Sequence, residues 1–166
     1  MKSFDCIVIG GGHAGIEACH AAAKMGADTC LLTIRKDKIG EMSCNPAIGG
    51  IAKGQMAREI DALGGLMGLA IDATGIQFKI LNSSKGPAVH APRAQADRHA
   101  YQHWMENYLQ TVKNLSIIET TAEDILTDGG EVTAVVCSNG QTYRAESVIV
   151  TTGTFLKGQM YIGEQW

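Results

Sequence analysis

The sequence predicts an α/β fold in which a Rossmann-like βαβ unit opens the chain and a three-stranded β-meander precedes its last strand. Three observations carry that expectation. The run Asp5-Cys6-Ile7-Val8-Ile9 is a short apolar strand leading directly into Gly10, Gly12 and Gly15 at G-x-G-x-x-G spacing, and then into an alanine-rich helix. A second apolar run, Thr29–Thr33, follows as the next strand of a right-handed parallel crossover. After residue 114, short strand-like segments are separated by Asp128-Gly129-Gly130 and Ser138-Asn139-Gly140, which are turn sequences.

Each element follows from its residues. The strand over 5–9 is continuous and apolar, and the helix over about 14–25 starts where the glycines end. The glycine spacing points to a dinucleotide: Gly10 permits the tight turn, Gly12 lets the backbone approach a pyrophosphate, and Gly15 lets helix and strand pack closely. Gly11, His13 and Ala14 complete the loop, and the helix N-terminus offers free N–H groups and a partial positive charge to the phosphates. About twenty residues after the glycines an acidic residue would normally hold the adenosine ribose. Thr33 and Ile34 stand there instead, followed by Arg35, Lys36 and Lys38. Ribose contacts are therefore expected from Thr33 or from backbone, with a 2′-phosphate on Arg35 or Lys36 as the alternative.

Residues 40–92 read differently. Nine glycines with Pro46 and Pro87, and Pro92 closing the segment, mark backbone that turns or approaches a ligand rather than a packed element. One short helix over about 53–63 interrupts it. Over 94–112 the pattern is helical, and the stripe Tyr101, Trp104, Met105, Tyr108, Leu109 and Val112 is expected to face the core rather than to stack on bases. Asp97 and Arg98 fall in this helix, and Arg93 lies one turn before Asp97, so that an i,i+4 ion pair is an alternative to ligand contacts there. Strand segments are expected at 115–118, 122–126, 132–137 and 141–145, the last three forming the meander over about 122–145, and a separate strand at 147–151 runs into Thr152-Gly153-Thr154.

Composition narrows the function. A chain of 166 residues with 45% hydrophobic and 19% charged content can bury one domain, and a net charge of −3 gives no global attraction to nucleic acid or anionic membrane. The charge is uneven, however: residues 35–98 carry nine Lys/Arg against six Asp/Glu, and residues 99–166 carry three against eight. The five cysteines are odd in number, widely spaced and free of any C-x-x-C pair, which argues against a disulfide framework or structural zinc. Cys6, Cys19, Cys30 and Cys137 fall in apolar patterns, and Cys44 alone falls in a loop. With no signal peptide and no apolar run of membrane-spanning length, a cytoplasmic protein is expected.

The order strand, glycine loop, helix, strand, helix, meander and Thr-Thr-Gly strand end resembles an FAD-binding domain of the glutathione-reductase type. That resemblance implies that Thr152 and Gly153 lie beside the cofactor and that Ala122 offers backbone to the adenine. Several stretches are more specific: Gly10-Gly11-Gly12-His13-Ala14-Gly15, Ser43-Cys44-Asn45-Pro46-Ala47-Ile48-Gly49-Gly50, Asp61-Ala62-Leu63-Gly64-Gly65, Lys85-Gly86-Pro87-Ala88-Val89, Arg93-Ala94-Gln95-Ala96-Asp97-Arg98 and Thr152-Gly153-Thr154-Phe155-Leu156. They resemble the glucose-inhibited division protein A family, the tRNA uridine 5-carboxymethylaminomethyl modification enzymes (MnmG). The resemblance implies a flavoenzyme that builds a carboxymethylaminomethyl or aminomethyl group on carbon five of the wobble uridine of tRNA, using FAD, NADH and methylenetetrahydrofolate. It further implies a homodimer and a GTPase partner (MnmE). Family members are several times longer, so residues 1–166 are expected to be the N-terminal piece of an FAD-binding domain, with the NADH-binding and C-terminal helical domains lying outside it.

Cys44 is the expected catalytic residue, a loop thiol near the helix starting at about Lys53, whose dipole would favour a thiolate able to add to carbon six of the uridine. His13 is expected either near the pyrophosphate or flavin, or simply as the start of the helix. Lys85, Arg93 and Arg98 are candidates for tRNA phosphates or a folate carboxylate, against the alternative of ordinary solvated charges. Rival readings are an FAD- and folate-dependent tRNA uridine methyltransferase, an NAD(P)H-dependent flavin reductase, and a non-catalytic nucleotide-binding module.

Overall fold

The computed structural model describes residues 2–154 together with Leu156 and Gly163. The opening unit is β1 (Ser3–Ile9), α1 (His13–Lys24) and β2 (Thr29–Thr33). Every residue of β2 is buried, as a central parallel strand requires. The glycine-rich stretch then forms β3 (Ala47–Gly49), α2 (Lys53–Ala62), α3 (Met67–Thr74), β4 (Gly75–Leu81) and β5 (Ala91–Ala96). The remainder is α4 (Arg98–Thr111), β6 (Leu115–Glu119), β7 (Ala122–Asp128), β8 (Glu131–Cys137) and β9 (Thr142–Val150).

Two sheets result. The larger has the order β6-β2-β1-β9-β8-β7, in which β6, β2, β1 and β9 are parallel and β8 and β7 return antiparallel as the meander. Side-chain alternation divides its apolar residues between two cores. Cys6, Val8 and Leu31 meet Ile16 and Cys19 of α1 and the Tyr101, Met105 and Leu109 face of α4 on one side. Phe4, Ile7, Cys30 and Leu32 meet Val135, Cys137 and Ala145 of the meander on the other. The aromatic stripe thus faces the core as its spacing implied. Cys6, Cys19, Cys30 and Cys137 are buried, and Cys44 is exposed.

Three expectations are corrected. The segment 40–92 is a packed unit, since it builds a second antiparallel sheet of order β3-β5-β4 and a second helix, α3. Helix α4 starts at Arg98 and not near 94, because Ala91–Ala96 is the middle strand of that sheet and Asp97 caps the helix, accepting from the N–H groups of His99 and Ala100 at 3.0 Å each. Arg93 and Asp97 therefore make no helical ion pair. The segments at 141–145 and 147–151 are one strand, β9, which holds β8 with its first half while pairing in parallel with β1. The expected strand at 115–118 forms β6, which joins β2 at the sheet edge.

Among the described residues no helix is long and apolar enough to cross a membrane, and no group of three or more His, Cys, Asp or Glu residues is placed to hold a metal ion.

Candidate functional site

The parallel strands diverge between β1 and β9: the chain leaves β1 toward β2 on one side, while β9 lies on the other. Such a switch point opens a crevice at the carboxyl ends of the strands. Here the crevice is floored by the glycine turn, which the neighbouring strands hold tightly. Gly10 donates to Leu32 O at 2.8 Å, the Thr151 N–H donates to Ile9 O at 2.9 Å, and the Thr151 hydroxyl donates to Ile9 O at 2.8 Å and reaches Gly10 O at 3.3 Å.

The glycines do different work. Gly10 has φ +111°, and a Cβ there would stand 2.5 Å from Thr151 O. A Cβ at Gly15 would stand 1.8 Å from Gly10 O, and one at Gly11 would stand 2.7 Å from the Thr33 hydroxyl. A Cβ at Gly12 would meet nothing within 4 Å and would project into the open cleft. The first helical hydrogen bond of α1 runs from Ile16 N–H to Gly12 O, so the N–H groups of His13, Ala14 and Gly15 have no acceptor within the helix, and no side chain caps it. Free donors, a helix dipole and an unobstructed approach at Gly12 fit a pyrophosphate.

The cleft measures about 1000 Å³, at the upper end of ligand pockets, and its wall includes Gly10, Gly11, Gly12, Thr33, Ala122, Thr152 and Gly153. Residues that sequence reasoning missed also line it: Thr120, Thr121, Met42 and Thr151. Thr151 left a signal, as the residue immediately before the Thr152-Gly153 pair; the others are brought in only by strand register, with Thr120 N–H donating to Thr33 O at 2.8 Å. At the ribose position the Thr33 hydroxyl donates to Arg35 O at 3.2 Å, and the Arg35 guanidinium is clasped by Asp37. Phe155 of the final glycine-threonine motif lies outside the described residues.

His13 takes a different place from the glycines around it. It lines a second cavity of about 480 Å³, whose wall includes Ile48, Met56, Ile60 and Met67 and which shares Glu41, Met42 and Ser43 with the cleft. Its ring lies 5.6 Å from that of Tyr101. Burial pushes the imidazole below its ordinary value, with Glu17 partly opposing, so it is neutral near pH 7. His13 Nε2 and the Tyr101 hydroxyl are both buried without a hydrogen-bond partner among the described residues.

Cys44 is exposed in the loop between Gly40 and β3. Strand β3 and the turn at 50–52 stand between it and α2 along the chain. The loop is tied to the second sheet, for Arg93 Nη2 donates to Asn45 Oδ1 at 3.2 Å. Arg98 instead belongs to the cleft wall, where it meets Glu41 at 2.6 Å; Glu41 also holds Lys38 at 2.7 Å. These bonds, Lys38 foremost, keep the Glu41 carboxyl below its usual range. Lys85 is exposed between β4 and β5. The structure therefore brings Arg93 to the cysteine loop, places Arg98 in the cleft wall and leaves Lys85 in the connection between β4 and β5.

The comparisons with known proteins agree with this geometry. A family model described as Glucose inhibited division protein A matches residues 5–166. The tRNA uridine 5-carboxymethylaminomethyl modification enzyme MnmG of Aquifex aeolicus is 56% identical over 165 residues, covering 99% of this chain and 27% of that protein. A crystal structure of Aquifex aeolicus GidA superposes with a TM-score of 0.93 at 55% identity, again over 99% of this chain and 27% of that one. The p-nitrophenol 4-monooxygenase PnpA of Pseudomonas putida, at 18% identity and a TM-score of 0.65 over 95% of this chain and 43% of its own, shares the fold alone. The chain thus spans about a quarter of the length of its high-identity relatives.

Proposed function

The chain belongs to the glucose inhibited division protein A family, and we propose that it forms the FAD-binding part of an enzyme that installs a carboxymethylaminomethyl or aminomethyl group at carbon five of the wobble uridine of tRNA. The observation that carries the reading is the cleft at the β1–β9 switch point, with Gly12 open to it and three unused N–H groups at the start of α1. In this reading the pyrophosphate lies against the N–H groups of residues 13–15, Thr33 and the neighbouring backbone take the ribose, and Ala122 offers backbone to the adenine. Thr152 and Gly153 border the cofactor further along. When bound, FAD supplies two-electron redox chemistry, with NADH and methylenetetrahydrofolate as co-substrates of the whole protein. A homodimer and a GTPase partner of the MnmE kind complete the assembly.

The residues of the chain do the rest. Cys44, exposed on its loop, acts as the nucleophile: its thiolate adds to carbon six of the uridine, and the electron pair of the C5–C6 double bond moves toward C5 and the C4 carbonyl oxygen. Carbon five then bonds to the methylene carbon of an iminium electrophile formed from methylenetetrahydrofolate and glycine or ammonia, whose nitrogen becomes the amino group of the product. Loss of the C5 proton and expulsion of the thiolate restore the double bond and free Cys44. Arg93, by holding Asn45, fixes the loop that presents the thiol.

The test uses the full-length gene product, with tRNA modification and bound flavin measured on the same preparation. Cys44→Ser is expected to abolish modification while keeping the visible flavin absorption, because the loop lies apart from the glycine turn. Retained modification removes the nucleophile role, and a colourless wild-type protein refutes the FAD assignment. Turnover of NADH with no requirement for tRNA would make the protein a flavin reductase.

A further inference from the structure

We propose that one face of the β3-β5-β4 sheet is a docking surface for the phosphate backbone of RNA, beside the Cys44 loop; this rests on the reading of the protein as a tRNA-modifying enzyme. The sheet has two unlike faces because side chains alternate along each strand. Ala94 and Ala96 of β5, with Ile48 of β3, turn into the core. Gln77 and Lys79 of β4, and Arg93 and Gln95 of β5, point the other way. Register places Gln77 opposite Gln95 and sets Lys79 directly opposite Arg93.

Two like charges facing each other across an antiparallel pair are destabilising. No carboxylate offsets the repulsion: among the described residues Lys79, Lys85 and Arg93 enter no ion pair. The sequence places no acid between Asp72 and Asp97, a span that contains these three cations, and Asp97 is engaged in capping α4. Residues 42–58, which include the cysteine loop, likewise carry Lys53 and Arg58 and no acid. Elsewhere the chain is acidic overall, so the cations are segregated here and not merely abundant.

Strand β4 is an edge strand and Lys79 is exposed on it. Gln77 and Lys79 are exposed and Arg93 and Gln95 half-buried, and unopposed cations set among amide side chains complement a polyanion, whereas the exposed apolar residues of β4, Ile76, Phe78 and Ile80, alternate onto the opposite face. The one polar bond Arg93 makes, to Asn45, joins this face to the loop that carries Cys44. A backbone lying across Lys79 and Arg93 would pass alongside the thiol. Phosphates would also relieve the Lys79–Arg93 repulsion, so the fold's penalty in the free protein becomes affinity in the complex.

The experiment measures binding of unmodified tRNA to the full-length gene product over a range of salt concentrations, for wild type, K79Q and K79Q/K85Q. The slope of log affinity against log salt is expected to fall by about one for each cation removed. Bound flavin should be unchanged, and K79Q should melt at a higher temperature because Arg93 no longer faces a like charge. An unchanged slope in the double variant, with flavin intact, overturns the surface and leaves the tRNA-modifying function standing. Weaker tRNA binding together with a lower melting temperature would assign Lys79 to sheet stability and also overturn it. Wild-type protein without salt-dependent tRNA affinity refutes the proposed function and the surface with it. Loss of an acidic protein partner with the RNA slope intact would assign the face to a protein instead.

Discussion

A methyl group added at Gly12 and one added at Gly15 meet opposite surroundings, although the two glycines belong to one motif. At Gly15 it would overlap Gly10 O at 1.8 Å, a backbone atom that Thr151 already holds in place. At Gly12 it would meet no protein atom, and φ −77° and ψ 180° suit any residue. Gly12→Val is therefore expected to cost no more than about 1 kcal/mol, the loss of a favourable N-cap residue of α1, while weakening FAD binding at least about tenfold by blocking the pyrophosphate. Gly15→Ala is expected to cost several kcal/mol, at least about the 1–3 kcal/mol of an overpacked core site, and to lose FAD through loss of fold. Urea denaturation alongside flavin titration separates the two; equal destabilisation by both would show that Gly12 too is structural. Residue types alone made both glycines legible, but which one faces the ligand is a matter of where each Cα–Cβ vector points.

Between β3 and α2 the backbone makes a tight turn at a residue poorly suited to it. Ala52 has φ 63° and ψ −47°, and Lys53 N–H donates to Ile51 O at 2.8 Å, a γ-turn of the positive-φ kind. A Cβ in that region costs roughly 1–2 kcal/mol, whereas glycine there costs extra chain entropy of about 0.4–1 kcal/mol in the unfolded state. Ala52→Gly is accordingly expected to stabilise the protein by about 0.5–1 kcal/mol, read as a higher urea midpoint at unchanged m-value; a lower midpoint would show that the turn carries no strain. Helix termini nearby are served from a distance: Glu17 of α1 accepts from Leu66 N–H at 3.0 Å and Met67 N–H at 2.7 Å, capping α3. Helix α3 went unread because its cap lies about fifty residues away in sequence. By contrast Asp97, the cap of α4, was visible as a residue and misassigned, since the apolar stripe alone does not say where a helix starts.

For the whole molecule, acid stability follows from two buried imidazoles. His13 packs on Tyr101 and His20 on Tyr108, and burial is the main cause that holds both below the ordinary value of 6.5. Above that pH the histidines are neutral in folded and unfolded chains alike and contribute no pH dependence. As pH falls through 6.5 the unfolded chain takes up protons that the folded one refuses, so stability declines until the folded imidazoles protonate. The slope is at most about 1.4 kcal/mol per pH unit for each histidine. Urea midpoints taken from pH 7.5 down to 5.5 are expected to fall, and less steeply for His20→Gln; a flat wild-type profile would count against both burials. The carboxyls of Asp37 and Glu41, held low by Arg35 and by Lys38 with Arg98, act at lower pH, where their contribution is lost on protonation.

What the sequence determined by itself is the opening βαβ unit, the glycine turn, the core-facing stripe of α4 and the buried or exposed state of each cysteine, because these depend on short-range spacing and apolar pattern. The tertiary structure alone decided the rest. It merged 141–151 into one strand because β8 and β1 claim successive parts of it, and it sent β6 to the far edge beside β2. It turned a glycine-rich stretch into a sheet in which Pro92 is tolerated, since the ladder with β3 ends at Arg93 and the bond beyond it, from Gly50 N–H to Pro92 O at 2.9 Å, asks no N–H of the proline. It also set the His13 side chain in the cavity beside the cleft and opposed Lys79 to Arg93. Each of these is a choice of partner between segments far apart in the chain, and local propensity carries no record of that choice.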